Sequence, residues 1–191
     1  MIRVRSSVLL FAVMLTPGIS ESEPADEVVV TFVDGRYQIR LERTINAPIN
    51  EVFRVLTDYE HLSELNPHIK ESQLLNRTEN MVEVFTRVRG CVLFFCRTID
   101  RTHAIVEESP TRIDAELVAD GGDIVSDRFS WLLAIDGQRT RVLYDQEIEP
   151  AFWIPPFVGP AVLKRKLGRA ADKALSNLER LATVSEDLTG E

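Results

Sequence analysis

Between His68 and Glu149 the chain is written almost entirely in strand-forming residues, and this long stretch limits the fold more than any other feature. The segments Ile69–Leu75, Met81–Arg89, Leu93–Glu107, Arg112–Val118, Ile124–Ile135 and Thr140–Ile148 are rich in β-branched and aromatic residues, and each is predicted to be a strand. The breaks between them are Arg77-Thr78-Glu79-Asn80, Gly90-Cys91, Ser109-Pro110, Asp120-Gly121-Gly122-Asp123 and Asp136-Gly137-Gln138. Those are turn residues for physical reasons: Gly supplies positive φ, Asn and Asp tolerate it, and Pro fixes φ. Long strands with short turns predict one continuous antiparallel meander in which successive strands are neighbours.

Two further strands precede this block. Val28 to Phe32 is a β-branched run, and Asp34-Gly35 is a strong hairpin signal. After it, Tyr37, Ile39, Leu41 and Thr44 alternate with Arg36, Gln38, Arg40 and Glu42, the pattern of a half-buried strand. Ala47-Pro48 ends it, and Pro48 sits where a helix can start without wasting an N–H. Ile49, Val52, Phe53 and Leu56 then fall at helical spacing. Asp58 to Leu65 reads as a second short helix capped by Asp58 and stopped by Asn66-Pro67. At the other end Glu149-Pro150 closes the sheet, a loop runs from Ala151 to Pro160, and Val162 to Thr183 is the longest helical pattern. Leu163, Leu167, Ala171, Leu175, Leu178 and Ala182 form its apolar stripe.

The first residues read as a secretory signal peptide, residues 1–20. Arg3 and Arg5 precede a mostly apolar run from Val8 to Leu15, followed by Pro17, Gly18 and Ser20. Cleavage is expected after Ser20, with Ser22 as the alternative, and a retained anchor is the rival reading. The run is short for a bilayer span, which takes about 20 apolar residues. Residues 21–27 are then a loose mature N-terminus, residues 28–184 one domain, and residues 185–191 a frayed acidic tail. A formal net charge of −8 argues against nucleic acid as a partner. The densest basic patch, Lys164-Arg165-Lys166 with Arg169, reads as a solvated helix face.

The stretch Ile45-Asn46-Ala47-Pro48-Ile49-Asn50-Glu51-Val52-Phe53-Arg54-Val55-Leu56-Thr57-Asp58-Tyr59 resembles the opening of the START-like superfamily, also called the SRPBCC or polyketide cyclase/dehydrase-like group. The order of elements extends the resemblance from Val28 to Ala182. It implies an α+β helix-grip fold: a curved antiparallel sheet, with two short helices after the first long strand, wrapped around a long C-terminal helix. It also implies an apolar cavity between sheet and helix, holding a hydrophobic small molecule such as a lipid, an isoprenoid or a quinone-like compound. The family's distribution points to a bacterial source, so the expected address is the periplasm, and no glycan is expected on the Asn76-Arg77-Thr78 sequon.

Alternation along the strands selects the residues that would line such a cavity. Val82, Val84, Thr86 and Val88 face in because Glu83, Arg87 and Arg89 must face out. Phe129, Trp131, Leu133 and Ile135 are the more apolar parity of their strand. Val142, Tyr144 and Gln146 oppose Asp145, Glu147 and Glu149, which leaves Tyr144 and Gln146 as polar handles. Leu163 and Leu167 would cover the cavity from the long helix. The loop before that helix carries Phe152, Trp153 and Phe157, which could plug the sheet, gate the cavity or make transient membrane contact.

Placed catalytic groups are hard to find. None of the three histidines, His61, His68 and His103, has a sequence-local partner for nucleophilic catalysis. Neither a metal site nor a cofactor is expected. An enzyme of the cyclase, aromatase or dehydratase kind would have only Tyr144 and His103 to draw on. An envelope protein-interaction domain is a third reading, and a monomer is expected. Cys91 and Cys96 are expected to form a disulfide in an oxidising compartment, with two buried thiols as the alternative. Since residues five apart on a straight strand point to opposite faces, the bond is expected to need a turn or bulge at Gly90-Cys91.

Overall fold

The computed structural model describes residues 27–92, 95–120, 122–152 and 160–189. Eight strands form one antiparallel sheet: β1 (Glu27–Val33), β2 (Arg36–Ile45), β3 (Ile69–Arg77), β4 (Val82–Val92), β5 (Phe95–Glu108), β6 (Arg112–Asp120), β7 (Ile124–Asp136) and β8 (Arg139–Pro150). Helices α1 (Ile49–Leu56) and α2 (Leu62–Leu65) lie between β2 and β3, and α3 (Pro160–Thr189) follows β8. The order across the sheet is β1-β2-β8-β7-β6-β5-β4-β3. The meander from β3 to β8 is as expected. The α1–α2 excursion carries the chain to the far edge, so β2 pairs with β8 and β3 is an edge strand.

Local chemistry places these elements. Asp34 and Gly35 both adopt positive φ, 50° and 85°, the twist that a two-residue hairpin needs. Pro48 caps α1 with φ −62°, and Thr140 Oγ1 on β8 donates to the Ala47 carbonyl at 2.8 Å, pinning the sheet-to-helix corner. Helix α1 buries Val52, Phe53, Val55 and Leu56. Helix α3 buries Leu175, Leu178 and Ala182, and the two helices pack on each other and on the inner face of the sheet. Asn177 Nδ2 donates to the Leu65 carbonyl at 3.0 Å and ties α2 to α3.

Several expectations need correction. Asp58 does not cap a helix from its own position: α2 is confined to Leu62–Leu65 after His61, and Asp58 instead pairs with His61 Nδ1 at 2.8 Å. On β2 the inward parity continues through Arg43 to Ile45 rather than shifting to Thr44, because Arg43 reaches Asp172 on α3. Ile135 shares the parity of Phe129 but is 73% exposed, since β7 outruns the core at that end. Helix α3 runs to Thr189, beyond the end of its apolar stripe.

The chain does not reverse at Gly90-Cys91. Strand β4 continues to Val92 and β5 resumes at Phe95, which makes Cys91 and Cys96 direct cross-strand partners joined by a disulfide. Sequence spacing on one strand is the wrong measure here, because the two cysteines sit on two strands.

Candidate functional site

A cavity of about 200 Å³ lies between the inner face of the sheet and α3. Ala170, Ala171 and Ala174 of α3 cover it with Leu167. Small side chains at three- and four-residue steps leave room that leucines would fill. Ile39 and Leu41 of β2, Val84 of β4, Ile105 of β5 and Ile113 of β6 supply apolar wall, and α1 and α2 add Leu56, Leu62 and Leu65. Such a wall, with a few convergent polar groups, is the usual make-up of a small-molecule site.

The polar groups gather on β4, β5, β7 and β8. The Asp127 side chain is wholly buried. Its Oδ2 accepts from His103 Nε2 at 3.2 Å and from Arg101 Nη1, and its Oδ1 accepts from Gln146 Nε2 at 2.7 Å. Tyr144 donates its hydroxyl to Gln146 Oε1 at 2.9 Å, and Arg101 Nε reaches Thr86 Oγ1 at 3.4 Å. An aromatic wall backs this network: Phe129 meets the His103 ring edge-on at 5.3 Å, and Trp131 lies 4.3 Å from the Tyr144 ring.

The electrostatics follow from burial. Burial alone would raise the Asp127 carboxyl, but the hydrogen bond from His103 and the Arg101 charge outweigh it and hold the carboxyl below its ordinary range. Burial pushes His103 down, against the pull of Asp127, so its imidazole is neutral near pH 7. Burial also raises the Tyr144 phenol far above its usual value. The resting network therefore carries one positive and one negative charge.

Of the residues singled out by alternation, Val84, Thr86, Phe129, Trp131, Tyr144, Gln146 and Leu167 line this cavity. Leu133 is buried elsewhere in the core, and Val88 is half-buried opposite Ile99. Phe152 lies under the Arg97 guanidinium at 4.5 Å, at a corner where Arg97 also pairs with Asp123. Trp153 and Phe157 lie outside the described residues, as does the side chain of Leu163.

Asp127 and Arg101 went unrecognised in the sequence, and His103 was left without a partner. The signal was present: Asp127 shares the parity of Phe129 and Trp131, and Arg101 shares that of His103. What was missing was the β5–β7 proximity across the curved sheet.

A second, wider groove of about 860 Å³ crosses the outer face of the sheet. Both its arginines are engaged by carboxylates, Arg40 by Asp145 and Arg128 by Glu147. The interior cavity is the better small-molecule site. Among the described residues no helix is long and apolar enough to cross a membrane.

The family model described as "Polyketide cyclase / dehydrase and lipid transport" matches residues 36–183. No curated protein matches the chain. Similar solved structures include a STAR-related lipid transfer protein from Xanthomonas axonopodis, with 18% identity and TM-score 0.67 over 86% of this chain and 97% of that one. The Zhui aromatase/cyclase from Streptomyces sp. R1128 aligns with 15% identity and TM-score 0.64 over 78% and 94%. A START superfamily protein from Mycobacterium smegmatis aligns with 17% identity and TM-score 0.61 over 80% and 99%. At these identities the structures speak for the helix-grip fold.

Proposed function

The chain belongs to the polyketide cyclase/dehydrase and lipid transport family, and we propose that this member is an exported carrier of a hydrophobic small molecule. The observation that carries the reading is the cavity beneath α3, apolar on most sides and polar at one end. Its ligand is a lipid, an isoprenoid or a quinone-like compound. The driving force is desolvation, about 25 cal/mol for each Å² of apolar surface removed from water. Thr86, Tyr144 and Gln146 stand at the polar end, where they orient the ligand.

Export to the periplasm is part of the proposal. It is supported by the charged start, apolar run and small residues that close at Ser20. The Cys91–Cys96 bond suits an oxidising compartment. N-terminal sequencing of the mature protein is expected to begin at Glu21; a chain beginning at Met1 would sink this part.

A second reading has its own observation. A buried His103–Asp127 pair beside Arg101, with His103 and Arg101 lining the cavity, is the kind of group that moves protons in an enzyme. Native mass spectrometry of the protein from its own envelope, followed by extraction of what accompanies it, separates the two. A stoichiometric apolar molecule recovered unchanged supports the carrier. Conversion of the recovered molecule on incubation favours the enzyme, and a protein that neither retains nor binds any apolar compound would refute both.

A further inference from the structure

The polar end of the cavity holds two hydrogen-bonding atoms without a partner among the described residues. Arg101 donates from Nη1 to Asp127 and from Nε to Thr86. Its Nη2 has no partner among the described residues, and the side chain keeps 18% exposure where it lines the cavity. His103 commits Nε2 to Asp127, and its Nδ1 likewise has no partner among the described residues. The first atom can only donate. The second can only accept, because the ionised Asp127 accepts a hydrogen bond from Nε2–H and so selects the tautomer with a bare Nδ1.

Arg101 and His103 are two apart on β5 and project from the same face. A ligand head that satisfies both must present an acceptor and a donor on adjacent atoms. Charge narrows the choice further. Facing His103 are Arg101 from its own strand, Asp127 from β7, Tyr144 from β8 and Thr86 from β4; among the described residues α3 lines the cavity with Leu167, Ala170, Ala171 and Ala174. With a neutral imidazole this set sums to zero, so a bare carboxylate would bring an uncompensated charge into a low-dielectric space. A carboxyl group that arrives with its proton does not.

We infer that the cavity takes a monocarboxylic acid head-first, with Arg101 Nη2 donating to its carbonyl oxygen and His103 Nδ1 accepting its hydroxyl proton, an assignment that rests on the carrier reading. As the acid's O–H breaks toward the ring, an N–H forms on Nδ1. The resulting carboxylate is held between Arg101 and the imidazolium, and no other reactant takes part. The tail lies beneath α3. Its size is set by the 200 Å³ void, somewhat larger than the ~150 Å³ voids that admit benzene, which suits a medium-chain acid.

Isothermal titration of the folded wild-type protein with octanoic acid, octanamide and methyl octanoate tests this. Runs at about pH 6 and about pH 8, in two buffers of different ionisation enthalpy, read proton uptake directly. About one proton taken up per octanoate is expected, with affinity falling roughly a hundredfold between the two pH values. The ester, which lacks the donor, is expected to bind at least about tenfold more weakly at the lower pH, and the amide, which keeps both groups but carries no acid proton, to bind without pH dependence or proton uptake. Octanoate binding without proton uptake, or no tighter than the ester at the lower pH, overturns the head assignment while leaving the carrier reading in place. If none of the three binds, the head assignment falls, and the carrier reading stands or falls by the extraction from the envelope.

Discussion

Replacing Asp127 by Asn tests whether the polar end of the cavity is an integrated charge network. The wild-type carboxylate accepts from three donors, Arg101, His103 and Gln146. An amide of the same shape has one acceptor oxygen, so either orientation turns its NH₂ toward a donor. It also leaves the Arg101 charge without its partner, and that side chain is only 18% exposed. Removing one member of a buried pair costs about 3–5 kcal/mol. The residual exposure of Arg101 argues for the lower end, about 3 kcal/mol. For a domain of this size that lowers the melting midpoint by about 6–12 °C. Urea denaturation at neutral pH, with the slope checked for constancy, measures it. The double variant Arg101→Met with Asp127→Leu removes both charges and is expected to recover at least about half of the loss. A single variant costing under about 1 kcal/mol, or a double variant no better than the single, would refute the reasoning.

Stability is also expected to fall with acidification in two windows. Because burial lowers His103 in the folded state, the unfolded chain binds the proton first as pH drops below 6.5. Asp127, also held low, adds a second loss as pH falls below 3.8. Denaturation of His103→Gln across the upper window should show a flatter pH profile, and an unchanged slope would remove His103 as its source. Leu178→Ala on α3, at a fully buried position, should cost about 2–5 kcal/mol by chemical denaturation; a loss below about 1 kcal/mol would mean that α3 is not packed as described. The Cys91–Cys96 bond closes only a short loop, so by chain entropy its reduction should lower stability by about 2 kcal/mol or less. Global unfolding on adding reductant would contradict that.

Much of the fold was legible along the chain because strands and amphipathic helices declare themselves by period. Alternation on β4 placed Val82, Val84 and Thr86 inside, and the apolar stripe placed Leu175, Leu178 and Ala182. Asp34-Gly35 marked its corner because few other residues suit positive φ, and Pro48 because its fixed φ and missing N–H suit a helix start. These are local properties, with the physics acting over a few residues.

What only the tertiary structure decided was who meets whom. Pairing β2 with β8 and sending β3 to the far edge follows from the α1–α2 excursion, which no local pattern encodes. The meeting of Cys91 with Cys96 depended on the β4–β5 register, a cross-strand matter rather than a spacing. The Arg101–His103–Asp127 network joins β5 to β7, whose residues are far apart in sequence and converge through the curvature of the sheet. In sequence each is an unremarkable polar residue on a strand. Only once burial has removed water does their charge and tautomer become fixed by one another.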